Sequence, residues 1–259
     1  MKNNEFSQKS DTYILVHGAW HGAWCWDKVI PLLQASGHQA IALDLPGHGN
    51  DTRLQSDVTL GNYVEAVAAL ANGQKGKVIL VGHSMAGMVI SQAAEWLGER
   101  KVSSLIYLDA FLPKDGDSLF SLVDATLKQF PPNTSGNPTL VEGIIISEDY
   151  KTNTVNPEMA EWLFYHDCSQ EDKTFALARI SSEPVAPLAT PVHVTEHVYG
   201  VIPKYFILCT EGKDMDKTFL STNVPCKKVF KLGSGHSPFF SMPEKLADVF
   251  CEIASELKK

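Results

Sequence analysis

The sequence predicts an α/β fold built on a mostly parallel, doubly wound sheet. Three observations carry that prediction. Short apolar runs rich in β-branched residues alternate with helical patterns up to about residue 111. The alternation then stops, and it resumes near residue 202. About ninety residues of turn-rich sequence with helix-like segments lie between. Strands separated by helices of roughly ten to fifteen residues form parallel βαβ units. So long an interruption reads as a helical cap over the carboxyl ends of the strands, where such sheets bind ligands. The 259 residues are therefore expected to form one domain, with a core at 12–111 and 202–259 and a cap over 112–201.

The elements follow in order. The apolar run YILVHG (13–18) precedes the helical AWCWDKVIPLLQASG, and QAIALDLPG (39–47) precedes LGNYVEAVAALANG. KVILVG (77–82) precedes MAGMVISQAAEWLG, and VSSLIYLDAF (102–111) closes this half, with Asp109 near its end. The intervening segment offers helical DSLFSLVDATLKQF and NPEMAEWLFYHDCSQEDKTFALARI beside the turn-rich FPPNTSGNP (130–138) and EPVAPLATP (183–191). PKYFILCTEG, KKVFKLGSGH and a terminal helix PEKLADVFCEIASELKK complete the core.

Charge and composition exclude several function classes. The net charge is −8, and Lys and Arg concentrate no further than pairs such as Lys227-Lys228, so no phosphate-backbone footprint exists and nucleic acid is not an expected partner. The polar start MKNNEFSQKSDTY lacks the apolar region of a secretory signal, and no apolar run approaches a membrane span, so no membrane partner and a cytoplasmic location are expected. The five cysteines are odd in number, scattered, and never spaced C-x-x-C, which suggests neither a disulfide framework nor a zinc site.

The chemistry concentrates in ILVGHSMAGMVI (79–90), where Ser84 falls between a strand and a helix. So tight a turn strains the serine, demands small neighbours two positions either side, and lifts its hydroxyl clear at the helix start. Gly82 and Ala86 are those neighbours, with Gly87 one place later; a serine that only caps the helix is the plainer reading. A serine hydroxyl needs a base, and His236 in the glycine-rich GSGHSP after the last strand shares the strand-end edge with Ser84. His17 and His48 read as hydrogen-bonded structural histidines, and His193 and His197 lack a carboxylate pattern for metal. The orienting acid is expected in TEGKDMD, at Glu211, Asp214 or Asp216, with Asp109 on the neighbouring strand end as a second option. HGAW (17–20) supplies an oxyanion hole, pairing the backbone N–H of Ala19 with that of Met85, Gly18 giving the turn its freedom.

With this turn, LVHGAWHGAWCWDKVIPLLQASGHQAIALDLPGHG and HDCSQED, the chain resembles the α/β-hydrolase superfamily, within it the plant methylesterase and hydroxynitrile lyase group and its bacterial esterase relatives. The resemblance implies the α/β-hydrolase fold, a Ser-His-acid triad, a pocket roofed by the cap, and small esters of aromatic or hydrophobic acids, with no cofactor. Residue by residue it places the nucleophile on Ser84, the base on His236 and the oxyanion amides on Ala19 and Met85. The family's aspartate falls on Gly212, which leaves Asp214, favoured by a small margin, or Asp109. A lyase of the group carries a threonine beside the oxyanion hole and a lysine after the histidine, and here those positions are Gly18 and Ser237. Aromatic pocket walls are expected from Trp20, Phe111, Trp162, Phe164 and Phe239, with Met85. The expected function is a carboxylic ester hydrolase of carboxylesterase or methylesterase type, using no metal, acting on a small-molecule ester as a monomer or homodimer. The alternatives are a hydroxynitrile lyase-type enzyme or a weakly active ligand-binding homologue.

Overall fold

A computed structural model describes residues 11–129 and 139–258. The stretch FPPNTSGNP and most of the polar start lie outside the described residues. Among the described residues nine strands form in chain order: β1 (Thr12–Val16), β2 (Gln39–Leu43), β3 (Val78–His83), β4 (Val102–Leu108), β5 (Ile144–Ile146), β6 (Thr152–Val155), β7 (Glu183–Pro184), β8 (Lys204–Cys209) and β9 (Lys228–Leu232). Six make one all-parallel sheet in the order β2-β1-β3-β4-β8-β9. The chain runs from β1 to one neighbour and then crosses back to the other, so the order reverses beside β1. A parallel sheet binds its ligand at such a reversal, outside the carboxyl ends of the strands. The ends of β1 and β3 carry HGAW and Ser84 respectively.

The sequence explains this sheet. Every residue of β1, β3 and β8 is buried, because helices cover both faces of a parallel sheet and leave no polar side to alternate with. Helices α1 (Val29–Ala35), α2 (Leu60–Asn72) and α3 (Ala86–Leu97) fill the crossovers. Thr59 opens α2 with a reciprocal cap: its hydroxyl accepts the Asn62 N–H, and the Asn62 side chain accepts its own N–H. Helix α2 packs on α3, and α1 packs on the C-terminal helix Pro243–Glu256.

Between β4 and β8 the structure departs from the expected helical cap. Helices α4 (Leu119–Gln129), α5 (Leu140–Gly143), α6 (Pro157–Tyr165) and α7 (Gln170–Leu177) are joined by a three-stranded antiparallel sheet, β5-β6-β7. The cause is local. Ile144-Ile145-Ile146 and Thr152-Asn153-Thr154-Val155 are rich in β-branched residues, and Ser147 bonds through its hydroxyl to both backbone groups of Thr152, closing the hairpin. The long helical stretch 156–180 divides at Ser169, whose hydroxyl accepts the Asp172 N–H and starts α7 afresh. Among the described residues no helix is long and apolar enough to cross a membrane.

Helix α3 also explains why position 87 is glycine. A Cβ at Gly87 would stand 2.0 Å from the carbonyl oxygen of Phe111, so the chain leaving β4 lies directly against this point of the helix. Gly87→Ala should therefore destabilise the fold by about 1–3 kcal/mol. Thermal unfolding should register it as a fall in Tm of roughly 2–4 °C per kcal/mol.

Candidate active site

Ser84 joins β3 to α3 with φ at +53°, in the left-handed region that a side chain occupies only under constraint. The constraint comes from β4. The Ser84 N–H donates to the Leu108 carbonyl at 3.2 Å, and the Ser84 carbonyl accepts from Phe111 at 3.0 Å and Gly87 at 3.1 Å. Crowding fixes the neighbours as well. A Cβ at Gly82 would meet the Ala86 carbonyl oxygen at 2.7 Å, and one at Gly18 would meet Ser84 Cβ at 2.9 Å. The loop after β1 thus lies against the serine itself.

His236 sits in the loop after β9, buried, its ring 4.5 Å from that of His83 and 5.4 Å from that of Phe164. The His83 Nε2–H donates to the His236 carbonyl at 2.9 Å, and Asp167 accepts the Gly235 N–H at 2.7 Å, so the loop is held from the sheet and from the inserted segment. Two carboxylates face Nδ1: Asp109 Oδ2 at 2.9 Å and Asp214 Oδ2 at 3.3 Å. Glu211 and Asp216 are exposed and stand apart from the ring's bonded partners. Asp109, at φ +44°, also accepts the Cys209 N–H through Oδ1 at 3.2 Å.

A residue that the sequence did not single out completes this group. Lys217 is buried, with Nζ 2.8 Å from Asp109 Oδ2, bonded also to Asp214 Oδ2, and 3.2 Å from His236 Nδ1. Burial alone would raise the Asp109 carboxyl, but the Lys217 ammonium and the His236 hydrogen bond outweigh it and hold the group below the usual carboxylate range. Burial would likewise lower Lys217, and the two carboxylates reverse that, raising it above an ordinary lysine. Asp109, Asp214 and His236 place donor atoms within 4.8 Å of one another, a spacing suited to a metal ion. The cation that stands against all three is the Lys217 ammonium, so these residues do not fit a metal as well.

The loop after β1 is pinned peptide by peptide. His21 donates through Nδ1 to the Ala19 carbonyl at 2.7 Å and accepts the Tyr165 hydroxyl at Nε2, 2.8 Å away. Trp20, at φ +64°, donates its N–H to Glu183 Oε2 (3.2 Å) and its indole N–H to Asn153 (2.9 Å), while its carbonyl accepts from Ser181 (2.9 Å). His17 donates through Nδ1 to the Gly18 carbonyl and accepts the Leu45 N–H, a structural role. Behind Trp20 the fully buried Glu183 accepts from Tyr63 and from His48 Nε2, each at 2.9 Å. Burial would lower His48, yet the Glu183 carboxylate and the Pro46 carbonyl more than offset it and raise it above an ordinary histidine.

Ser84, Met85, Ala19, Trp20 and Phe111 open on a cavity of about 370 Å³. Its remaining wall comes largely from the inserted segment, including Leu119, Val123, Leu140, Ile144, Asn153, Val185 and Leu188, and among the described residues no charged side chain lines it. Three expected wall residues lie elsewhere. Phe239 is fully buried between the rings of His83 (4.9 Å) and Trp26 (5.4 Å). Phe164 stacks on Trp20 at 5.6 Å, backing the wall rather than forming it. Trp162 sits 6.0 Å from the His166 ring and 5.7 Å from the Lys213 ammonium. Aromatic size marked these residues, but Phe164 and Phe239 are turned into buried packing and Trp162 is half-buried beside His166 and Lys213.

A family profile described as the alpha/beta hydrolase family matches residues 13–249. Methylesterase 1 of Arabidopsis thaliana is 31% identical over 96% of this chain and 98% of its own length. Among solved structures, a pyrethroid hydrolase from Sphingobium faniae superposes with a TM-score of 0.83 at 27% identity, covering 95% of this chain and 98% of the other. Polyneuridine aldehyde esterase superposes with a TM-score of 0.85 at 24% identity, covering 95% and 100%, a likeness of fold.

The His48–Glu183 pair gives a pH test of the Trp20 brace. A histidine raised by folding contributes stability that is fully present below its unfolded value, about 6.5, and lost as pH rises through the folded value. Glu183→Gln should therefore lower stability by on the order of 3 kcal/mol at acidic pH. The gap in Tm between variant and parent should narrow as pH rises, as melting curves from pH 5 to 9 would show.

Proposed function

The chain belongs to the alpha/beta hydrolase family, and from that premise we propose a carboxylic ester hydrolase working through Ser84, His236 and Asp109. Ser84 Oγ attacks the ester carbonyl while His236 takes its proton and passes it to the departing alcohol. Water, activated by the same histidine, then releases the acid. The backbone N–H groups of Ala19 and Met85, fixed before reaction, receive the oxyanion. Asp109 is assigned the orienting role on its 2.9 Å hydrogen bond to His236 Nδ1, against 3.3 Å for Asp214.

One observation carries the reading: a serine strained to φ +53° at a strand-to-helix turn, in a cavity whose wall also includes Ala19 and Met85. The uncharged wall selects neutral esters with apolar groups, because nothing in it compensates a buried charge. A volume of about 370 Å³ takes a small aromatic or aliphatic ester whole. Similarity to a methylesterase and to a pyrethroid hydrolase supports a hydrolase of small-molecule esters. The lyase reading is less well supported: the residue after His236 is Ser237, and the Lys217 cation stands at Nδ1, on the carboxylate side of the ring. Five free cysteines fit a reducing, cytoplasmic setting.

Ser84→Ala should abolish hydrolysis of p-nitrophenyl esters and labelling by a fluorophosphonate; turnover at the parental rate would remove the mechanism. Asp109→Asn should lower kcat by roughly 10⁴, whereas Asp214→Asn should keep most of it, and the reverse order would transfer the role to Asp214. A panel of methyl salicylate, methyl indole-acetate and p-nitrophenyl esters of graded chain length should favour neutral apolar substrates. Cyanide release from mandelonitrile at a rate rivalling ester turnover would reverse the choice against lyase chemistry.

A further inference from the structure

A histidine that relays a proton from serine needs one carboxylate behind it, and this chain supplies two, from the ends of different strands. Asp109 follows β4 and Asp214 follows β8, and their Oδ2 atoms stand 2.9 and 3.3 Å from His236 Nδ1. Two negative charges so close would strongly favour the protonated ring, and a protonated ring cannot accept the serine proton. The ammonium of Lys217 lies among them, 2.8 Å from Asp109 Oδ2, bonded to Asp214 Oδ2 and 3.2 Å from the ring nitrogen.

We propose that Lys217 is a positioning residue of the proton relay: its ammonium neutralises the surplus carboxylate, so that His236 faces one net negative charge from three buried groups. The inference rests on the reading of His236 as the general base. Burial forbids the alternatives that would serve an exposed cluster. Bulk water and salt screen surface charges, but Asp109, Asp214, Lys217 and His236 are all buried, so the compensating charge must be built in.

The other ionisable groups around the ring leave this sum unchanged. His83, at the end of β3, is driven well below the ordinary histidine range by burial, and His21, after β1, is pushed down to about 4 by the same cause. Both rings are neutral at working pH. Burial pushes the Cys209 thiol, at the end of β8, and the Tyr165 hydroxyl, on α6, far up, so neither contributes a charge. Asp167 and His166, from the inserted segment, lie against Gly235 but are only half-buried, so water reaches and screens any charge they carry. The residues after His236, Ser237 and Phe239, are uncharged.

The test is the acid limb of the pH profile, read both as kcat/KM for p-nitrophenyl acetate and as the rate of fluorophosphonate labelling, which needs no natural substrate. Lys217→Met leaves two carboxylates facing the ring, and its limb should move up by about one pH unit or more. Asp214→Asn leaves one carboxylate and the ammonium, and its limb should move down. The double variant leaves Asp109 alone and should return close to the parental limb. A structural role would lower Tm or the plateau rate without moving the limb. An unmoved limb in Lys217→Met, or both single variants shifting in one direction, overturns the proposal. If Lys217→Met does not fold, the decision passes to the other two variants: a downward shift in Asp214→Asn that reverses in the double variant supports the proposal, and an unmoved limb overturns it. Failure of the general-base reading shows separately, as His236→Ala that is labelled and turns over like the parent.

Discussion

Ser84 keeps its left-handed backbone because three chain segments close on it at once. The end of β4 grips its N–H and carbonyl, the glycine at 18 brings the β1 loop within van der Waals reach of its Cβ, and α3 starts one residue after Met85. Such a residue costs on the order of 1–3 kcal/mol and persists only where its surroundings over-determine it. The serine is thereby aimed without using its own side chain, whose hydroxyl stays available for chemistry. The same crowding sets the tolerances nearby. Ala86 is accepted inside α3, while Gly87 meets the carbonyl of Phe111, so glycine stands at the position where the neighbouring chain is closest.

Electrostatics around His236 obey a second constraint. Charges taken out of water must be matched, and a buried set of ion pairs contributes little net stability against a well-packed apolar equivalent. Asp109, Lys217 and Asp214 fill space that leucine or methionine would fill at least as well for folding alone. The Glu183–His48 pair repeats the pattern behind Trp20, where the carboxylate also receives the Trp20 backbone N–H in the loop after β1. Both pairs thus sit one bond removed from a group that must be held in a particular direction.

Legibility in the sequence followed the strength of local punctuation. The turn at Ser84 and the strand-end loop of His236 are legible because a strand ends and a helix begins within a few residues of a glycine, and the parallel core is legible from its apolar alternation. The acid was ambiguous because two strand ends deliver carboxylates to one point, and only the three-dimensional sheet order brings β4 and β8 side by side. Lys217 was invisible: in TEGKDMDK a lysine among acids reads as solvated, and nothing local marks the turn that buries it. The inserted segment was least readable. Strands of two to four residues such as β5 and β7 are shorter than any periodicity can define, and the cavity wall uses Leu, Val and Ile that look the same in any core.

The site divides between two parts of the chain that answer to different demands. The proposed nucleophile, base, acid and oxyanion amides all follow strands of the parallel sheet, whose central strands β1, β3 and β8 are fully buried, so that a shift of one residue would disturb the core. Most of the rest of the cavity wall comes from α4, a short hairpin and single-turn helices, and its outer member Ile146 is already half in solvent. Insertions and exchanges are cheap in such pieces and expensive in the sheet. A lineage built this way can try new esters by rewriting a few surface turns, and inherits its reaction unaltered each time.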